Sequence, residues 1–291
     1  MFEILNTMPR FFEYWRSYSS QPIEEQVRGW ENEYMSNWPE LLEKQIENYR
    51  KDDMDWEAIA RDRIFPDLPA AIGKIEQAYA NLQIQLPEIH SVFTGKFDLT
   101  PTDMLYGLYV GIGCGAGWLT DFGGRMSILF GLEMIAECGW EDKEQIAGLA
   151  YHELGHAYHR QLRSDSGIRK GEGPIWRLYL EGFACYCEQT LRGTRRPHES
   201  YGINPPDWVE WCSSNRGMLA RVFLDRVDSE ADIRDFFGSW YELYGYRQTG
   251  YYLGQEVVRN MANTRGLLEI ATLDSVDREC RHILGRFIRE G

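Results

Sequence analysis

The stretch Glu144-Gln145-Ile146-Ala147-Gly148-Leu149-Ala150-Tyr151-His152-Glu153-Leu154-Gly155-His156-Ala157-Tyr158-His159 places Ile146, Leu149, Ala150 and Leu154 at helical spacing. Read as a helix, it sets His152 and His156 on one face, one turn or about 6 Å apart. Two imidazoles so placed can direct ring nitrogens at a single Zn²⁺ held about 2.0–2.1 Å away. Glu153 then projects beside the metal, where a carboxylate can take a proton from bound water. The competing reading is a chance spacing, or two core histidines hydrogen-bonded to neighbours. The chain has only six histidines and the spacing falls within a helical pattern, so the metal reading is carried forward.

Zinc needs a third protein ligand, and its identity separates classes of hydrolase. A pattern continuing His-x-x-Gly-x-x-His is excluded, because position 159 is His and position 162 is Leu. His159 lies seven residues, about 10 Å of helix rise, from His152, too far for both to reach one metal on a straight helix. It is read as an exposed or supporting histidine. The better third ligand is Glu181 in Trp176-Arg177-Leu178-Tyr179-Leu180-Glu181-Gly182-Phe183-Ala184, an acid in an otherwise apolar helical stretch. Leaving an isolated carboxylate there is costly, so it needs a partner. Zinc is one candidate; a salt bridge to Arg177 is the alternative.

His-Glu-x-x-His followed, one loop later, by Glu181-Gly182-Phe183-Ala184 resembles the gluzincins, whose third zinc ligand is a glutamate from a second helix. Gly250-Tyr251-Tyr252-Leu253-Gly254 adds a resemblance to predicted Zn-dependent proteases related to bacterial YjaZ-type proteins. The resemblance spans about 104–265. It implies a thermolysin-like zincin core, one Zn²⁺ per chain on His152, His156 and Glu181, and a peptidase activity. One position departs from the pattern. Many gluzincins carry an acid four residues after the glutamate ligand, supporting a ligand histidine, and this chain has Cys185 there. Another group must then orient the imidazoles, unless Cys185 itself turns to the metal. Gluzincins also need an oxyanion donor. Tyr251 is the candidate and Tyr252 the reserve, with ordinary core packing as the alternative for both. His198, in a proline-containing loop, and His282, on a charged terminal helix, are weaker candidates.

Around this centre, residues 7 to about 90 set aromatic and aliphatic positions such as Trp30, Tyr34, Trp38, Leu41, Leu42 and Ile46 among charges at helical spacing. Asp67-Leu68-Pro69 is expected to open a further helix with Ile72, Ile75, Tyr79 and Leu82 on one face. From about 104 to 132 two apolar runs, Leu105–Val110 and Met126–Leu132, flank Gly123-Gly124 and read as a small antiparallel sheet. The strand Arg125–Leu132 precedes the metal helix, as a substrate-aligning edge strand does in the proteins this chain resembles, although its alternation equally fits an internal strand. Gly111-Ile112-Gly113-Cys114-Gly115 lacks the Lys-Ser/Thr of a phosphate loop and reads as turns. The expected fold is α+β and predominantly helical, with an N-terminal helical lobe over 1–95 and a zincin-like catalytic domain over 96–291.

A formal net charge of −14 disfavours nucleic acid and anionic membrane surfaces as partners. The aromatic share of 14% suits a thick core or a peptide-binding groove, with core the preferred use. No secretory leader and no run of 18 apolar residues is evident, and six dispersed cysteines are expected to be reduced thiols, so a cytoplasmic protein is expected. The function these features imply is a zinc-dependent metalloprotease acting on a peptide or protein substrate, with Glu153 as general base. Two alternatives stand beside it: a non-catalytic zinc-fold regulatory or binding protein, and a hydrolase of a non-peptide amide. An intact Glu153 favours an enzyme over the former.

Overall fold

The computed structural model of the chain describes residues 2–51, 53–98 and 104–291. Its contacts divide into two compact units, Met1–Glu88 with Thr100–Ile146, and Ile89–Leu99 with Ala147–Gly291. The fold is α+β and predominantly helical, as expected. No helix of the described residues is long and apolar enough to cross a membrane.

The first unit holds strands β1 (Phe2–Asn6), β2 (Met104–Tyr109), β3 (Trp118–Phe122) and β4 (Arg125–Gly131). Its helices are α1 (Met8–Tyr18), α2 (Ile23–Gly29), α3 (Pro39–Lys51), α4 (Trp56–Ile59), most of α5 (Phe65–Phe97) and α6 (Leu132–Cys138). The sheet order is β1-β2-β4-β3, with β1, β2 and β4 parallel and only β3 antiparallel to β4. This corrects the antiparallel expectation. The Gly123-Gly124 turn, with both φ values positive, joins β3 to β4 in a tight hairpin, the one local pairing in the sheet. The parallel pairs join segments far apart in sequence, through crossovers that local patterning does not reveal. β4 lies between β2 and β3, so its backbone groups are already paired and it is not an edge strand open to an added peptide. Because β1 pairs with β2, the strand region groups with the N-terminal helices, and the division does not coincide with the boundary expected at 95/96. Helix α5 begins at Phe65 and carries Pro69 inside it rather than at its start, while Ile75 and Leu82 are buried as expected.

The aromatic residues of the first unit are core, and their polar tips satisfy backbone at the end of β2. Trp30 Nε1 donates to Val110 O (3.0 Å), Val110 N donates to the Tyr34 hydroxyl (3.1 Å), and the Tyr49 hydroxyl donates to Ile112 O (2.6 Å). The glycine-rich loop that follows wraps a carboxylate of its own chain: Gly111 N and Gly113 N donate to Glu133 at 2.7 and 3.1 Å. A Cβ at Gly111 would press on Gln45, Tyr109 and Glu133, so the loop closes only with glycine there.

The second unit is built from α7 (Lys143–Asp165, from Ala147 on), α8 (Pro174–Arg192), α9 (Trp208–Ser214), α10 (Arg216–Asp228), α11 (Arg234–Phe237), α12 (Thr249–Ala262), α13 (Leu267–Ala271) and α14 (Val276–Glu290). Helices α8 and α12 meet backbone to backbone. A Cβ on Gly182 would run into the Gly254 carbonyl group, and one on Gly254 into Leu178 O. The glycine after Glu181 and the second glycine of the Gly-Tyr-Tyr-Leu-Gly run are therefore one helix–helix contact.

Burial pushes Glu133 up to about 7, against the Gly111 and Gly113 amides, which favour the charged form. The folded state then holds a proton that the unfolded state has released between about pH 4.5 and 7, so stability falls as pH rises through that window. The expected loss is up to about 3 kcal/mol. Urea unfolding at pH 4.5 and 7.5 checks this: Glu133→Gln should flatten the pH dependence, and an unchanged slope would show that Glu133 does not titrate there.

Candidate metal centre

All the residues of the centre lie in the second unit. Helix α7 presents His152, Glu153 and His156; α8 presents Glu181, Cys185 and Glu188; a single 3-10 turn, His198–Ser200, presents His198 and Glu199; and α12 presents Tyr251. Glycine lets the first two helices approach. A Cβ at Gly155, inside the His-Glu-Leu-Gly-His run, would lie 2.9 Å from Ala184 Cα, so α8 crosses α7 at this point and carries Glu181 under the two imidazoles.

The Glu181 Oε2 atom lies 3.2 Å from His152 Nε2 and 3.2 Å from His156 Nε2. Ligand atoms on a tetrahedral zinc with bonds of about 2.0–2.1 Å are about 3.4 Å apart, so two imidazoles and one carboxylate at this spacing fit such an ion. Glu153 supplies a second sign of fit: it is 5% exposed, and its Oε2 is buried with no hydrogen-bond partner among the described residues. Burial pushes Glu153 up to about 7, with the positive charge on His156 opposing.

Electrostatics within the triad follow from burial and pairing. Burial lowers His152 to about 4, with Glu181 opposing. Burial would lower His156 too, but Glu181 outweighs it and holds the imidazole above its ordinary value. Glu181 resists the upward push of burial and is held well below the carboxylate range by His156 and His152. Three groups thus share a proton where a cation would serve all of them.

The far side of His152 answers the question raised by Cys185. His152 Nδ1 faces Glu199 Oε1 at 3.4 Å and Cys185 Sγ at 3.6 Å, and the thiol in turn donates to Glu199 Oε1 (3.7 Å). Cys185 therefore sits behind the ring, away from the Nε2 face. Burial and the nearby Glu199 and Glu188 carboxylates push its thiol far up, so it stays protonated. Glu199 thus stands behind the His152 ring, and a proton on Nδ1 leaves the Nε2 lone pair free for a metal. Behind it, His198 Nδ1 lies 3.1 Å from Glu188 Oε2 and 3.4 Å from Glu199 Oε2, and Arg192 donates to Glu188 Oε1 at 2.6 Å. Burial would raise Glu188, but His198 and Arg192 hold it down; burial would lower His198, but Glu199 and Glu188 raise it. His152, Cys185, Glu188 and Glu199 also lie close enough together to form a metal cage on distance alone. Its charges, however, are already matched by His198 and Arg192, which makes it a hydrogen-bonded support.

No protein-family model, curated protein or solved structure matches the chain.

The remaining expected residues separate clearly. The Tyr251 ring lies 5.8 Å from that of His152, and burial together with Glu181 holds its hydroxyl protonated. Tyr252 is 4% exposed and packs on Trp208, so the reserve candidate is a core residue. Arg177 does not pair with Glu181; its guanidinium lies 4.6 Å over the Phe237 ring. His159, expected to be exposed or supporting, is 2% exposed, with Nε2 3.0 Å from the Tyr179 hydroxyl. Burial lowers it to about 3, so it is a neutral core histidine. His282 is exposed on α14, and all six cysteines are free.

Sequence reasoning missed Glu188 and Glu199 and held His198 only as a weaker candidate. Glu188 was accessible, because Glu181, Cys185 and Glu188 recur at helical spacing on α8. Nothing local marks Glu199, which the fold brings from a loop. Its role is checked by competition against a chromophoric chelator. Glu199→Gln should weaken zinc binding by about 10- to 100-fold while Cys185→Ser stays near wild type; equal affinity in all three proteins would remove Glu199 from the support of His152.

Proposed function

We propose that the chain is a zinc-dependent hydrolase of the gluzincin type, with a thermolysin-like catalytic core, that cleaves peptide bonds. The observation that carries this reading is the convergence of His152 Nε2 and His156 Nε2 on Glu181 Oε2, with the unpartnered Glu153 carboxylate beside them. His152, His156 and Glu181 would hold the ion. Bound there, zinc would supply Lewis acidity, bringing the pKa of water towards neutrality and polarising a carbonyl.

The chain's own groups do the rest. Glu153 Oε2 is the atom that takes a proton from water and returns it to the leaving nitrogen, and a carboxylate raised towards neutrality is suited to both transfers. The Tyr251 hydroxyl, held protonated on a ring 5.8 Å from that of His152, would serve as the donor to a developing oxyanion. Glu199 and Cys185 keep the His152 ring fixed from behind. Exposure is graded in the direction a substrate requires: the side chains of Glu181 and His156 keep 16% and 13% of their surface, whereas His152 keeps 4% and Glu199 1%. The Nε2 face is the reachable one, and the supporting network is closed to water.

Glu153→Gln removes the proton acceptor while leaving the three ligands in place. It should retain zinc at the wild-type ratio and lower turnover of a responsive peptide by at least about 100-fold. Profiling a peptide library with both proteins reads this directly; comparable cleavage by the variant would remove Glu153 from the proton transfer.

A further inference from the structure

Arg177 lies one turn before Glu181 on α8, so the two side chains leave the same face of the helix. It is exposed, and it pairs with no carboxylate among the described residues. The side chain is nevertheless held in place. Its guanidinium lies 4.6 Å over Phe237, a ring only 3% exposed, and stacking on a fixed ring orients the guanidinium while leaving its edge N–H donors to solvent.

Phe237 leads back to the metal centre. Its ring packs edge-on against Tyr251 at 5.7 Å, and Tyr251 lies 5.8 Å from His152. Tyr251 therefore has the triad on one side and the ring beneath Arg177 on another. Gly250 allows this arrangement, since a Cβ at that position would strike the Phe237 ring.

We propose that Arg177 is a substrate anchor, binding a carboxylate of the molecule held against His152, His156 and Glu181. The guanidinium fork matches a carboxylate through two parallel N–H donors, and such charge-assisted pairs are among the stronger polar contacts. That the carboxylate belongs to a peptide rests on the hydrolase reading above. Two sources supply it, a free C-terminus or an Asp or Glu side chain near the scissile bond.

The test uses binding, so it does not depend on turnover. Zinc-loaded Glu153→Gln protein is titrated calorimetrically with N-acetyl-Ala-Ala-Phe, with its C-terminal amide, and with N-acetyl-Ala-Asp-Phe amide. At least one carboxylate-bearing peptide should bind about tenfold or more tightly than the neutral amide, and which one does so identifies the source. Arg177→Met in the same background should abolish the preference with zinc content and Tm unchanged, and Arg177→Lys should restore part of it. Equal binding of all three peptides, binding of none, or a preference that survives Arg177→Met overturns the anchor. Cleavage by the otherwise wild-type chain is read separately: hydrolysis without carboxylate preference overturns the anchor alone, whereas carboxylate-selective binding without hydrolysis of any peptide overturns the hydrolase reading alone.

Discussion

The Glu181 carboxylate sits between two imidazole nitrogens, 3.2 Å from each, in a site where His152 is 3% exposed. Removing a carboxylate from water costs several kcal/mol unless a positive partner compensates it. Much of the second unit follows from that requirement. Gly155 lets α8 cross α7 closely enough to bring Glu181 beneath the imidazoles, and Gly182 with Gly254 locks α8 against α12 so that Tyr251 stands beside His152. Two further acids, Glu188 and Glu199, are buried behind the same ring, and His198 and Arg192 accompany them. The arrangement concentrates charge in the interior and balances it locally, which is the condition under which buried ionic groups are tolerated.

A division of labour follows from which nitrogen of His152 faces which group. Nε2 points to the accessible side, where His156 and Glu181 gather, and Nδ1 points to the closed side, where Glu199 and Cys185 gather. A carboxylate still stands behind the histidine, but it comes from a 3-10 turn after α8 rather than from α8 itself. On the open side Tyr251 links the cluster to Phe237 and Arg177, which gives the proposed hydrolase a means of selecting its substrate by charge.

The parts of this that were legible in the sequence are those governed by local periodicity. Helix α7 and the shared face of His152 and His156 follow from a 3.6-residue repeat, and Glu181 stood out as an acid in an apolar helical stretch that required a partner. Contacts that depend on chain topology were not legible. Glu199 lies in a proline-containing loop with no pattern to distinguish it, and β1 acquires its meaning only by pairing in parallel with β2, about a hundred residues later. The same blindness left β4 open as either an edge or an internal strand, because alternation reports which faces are buried and says nothing about whether both edges are paired. Tyr251 and Tyr252 were ordered only by the Gly-Tyr-x-Leu-Gly pattern, with core packing open for both; the 100° turn between neighbours on α12 sets one ring near His152 and the other against Trp208.

The central claim is that His152, His156 and Glu181 form one metal site. Metal analysis of the purified chain beside its Glu181→Ala variant tests it most directly. The account predicts about one zinc per wild-type chain and a sharp loss in the variant, since two imidazoles alone make a weak site. Equal zinc in both proteins, or none in the wild type after loading with excess zinc, would contradict it.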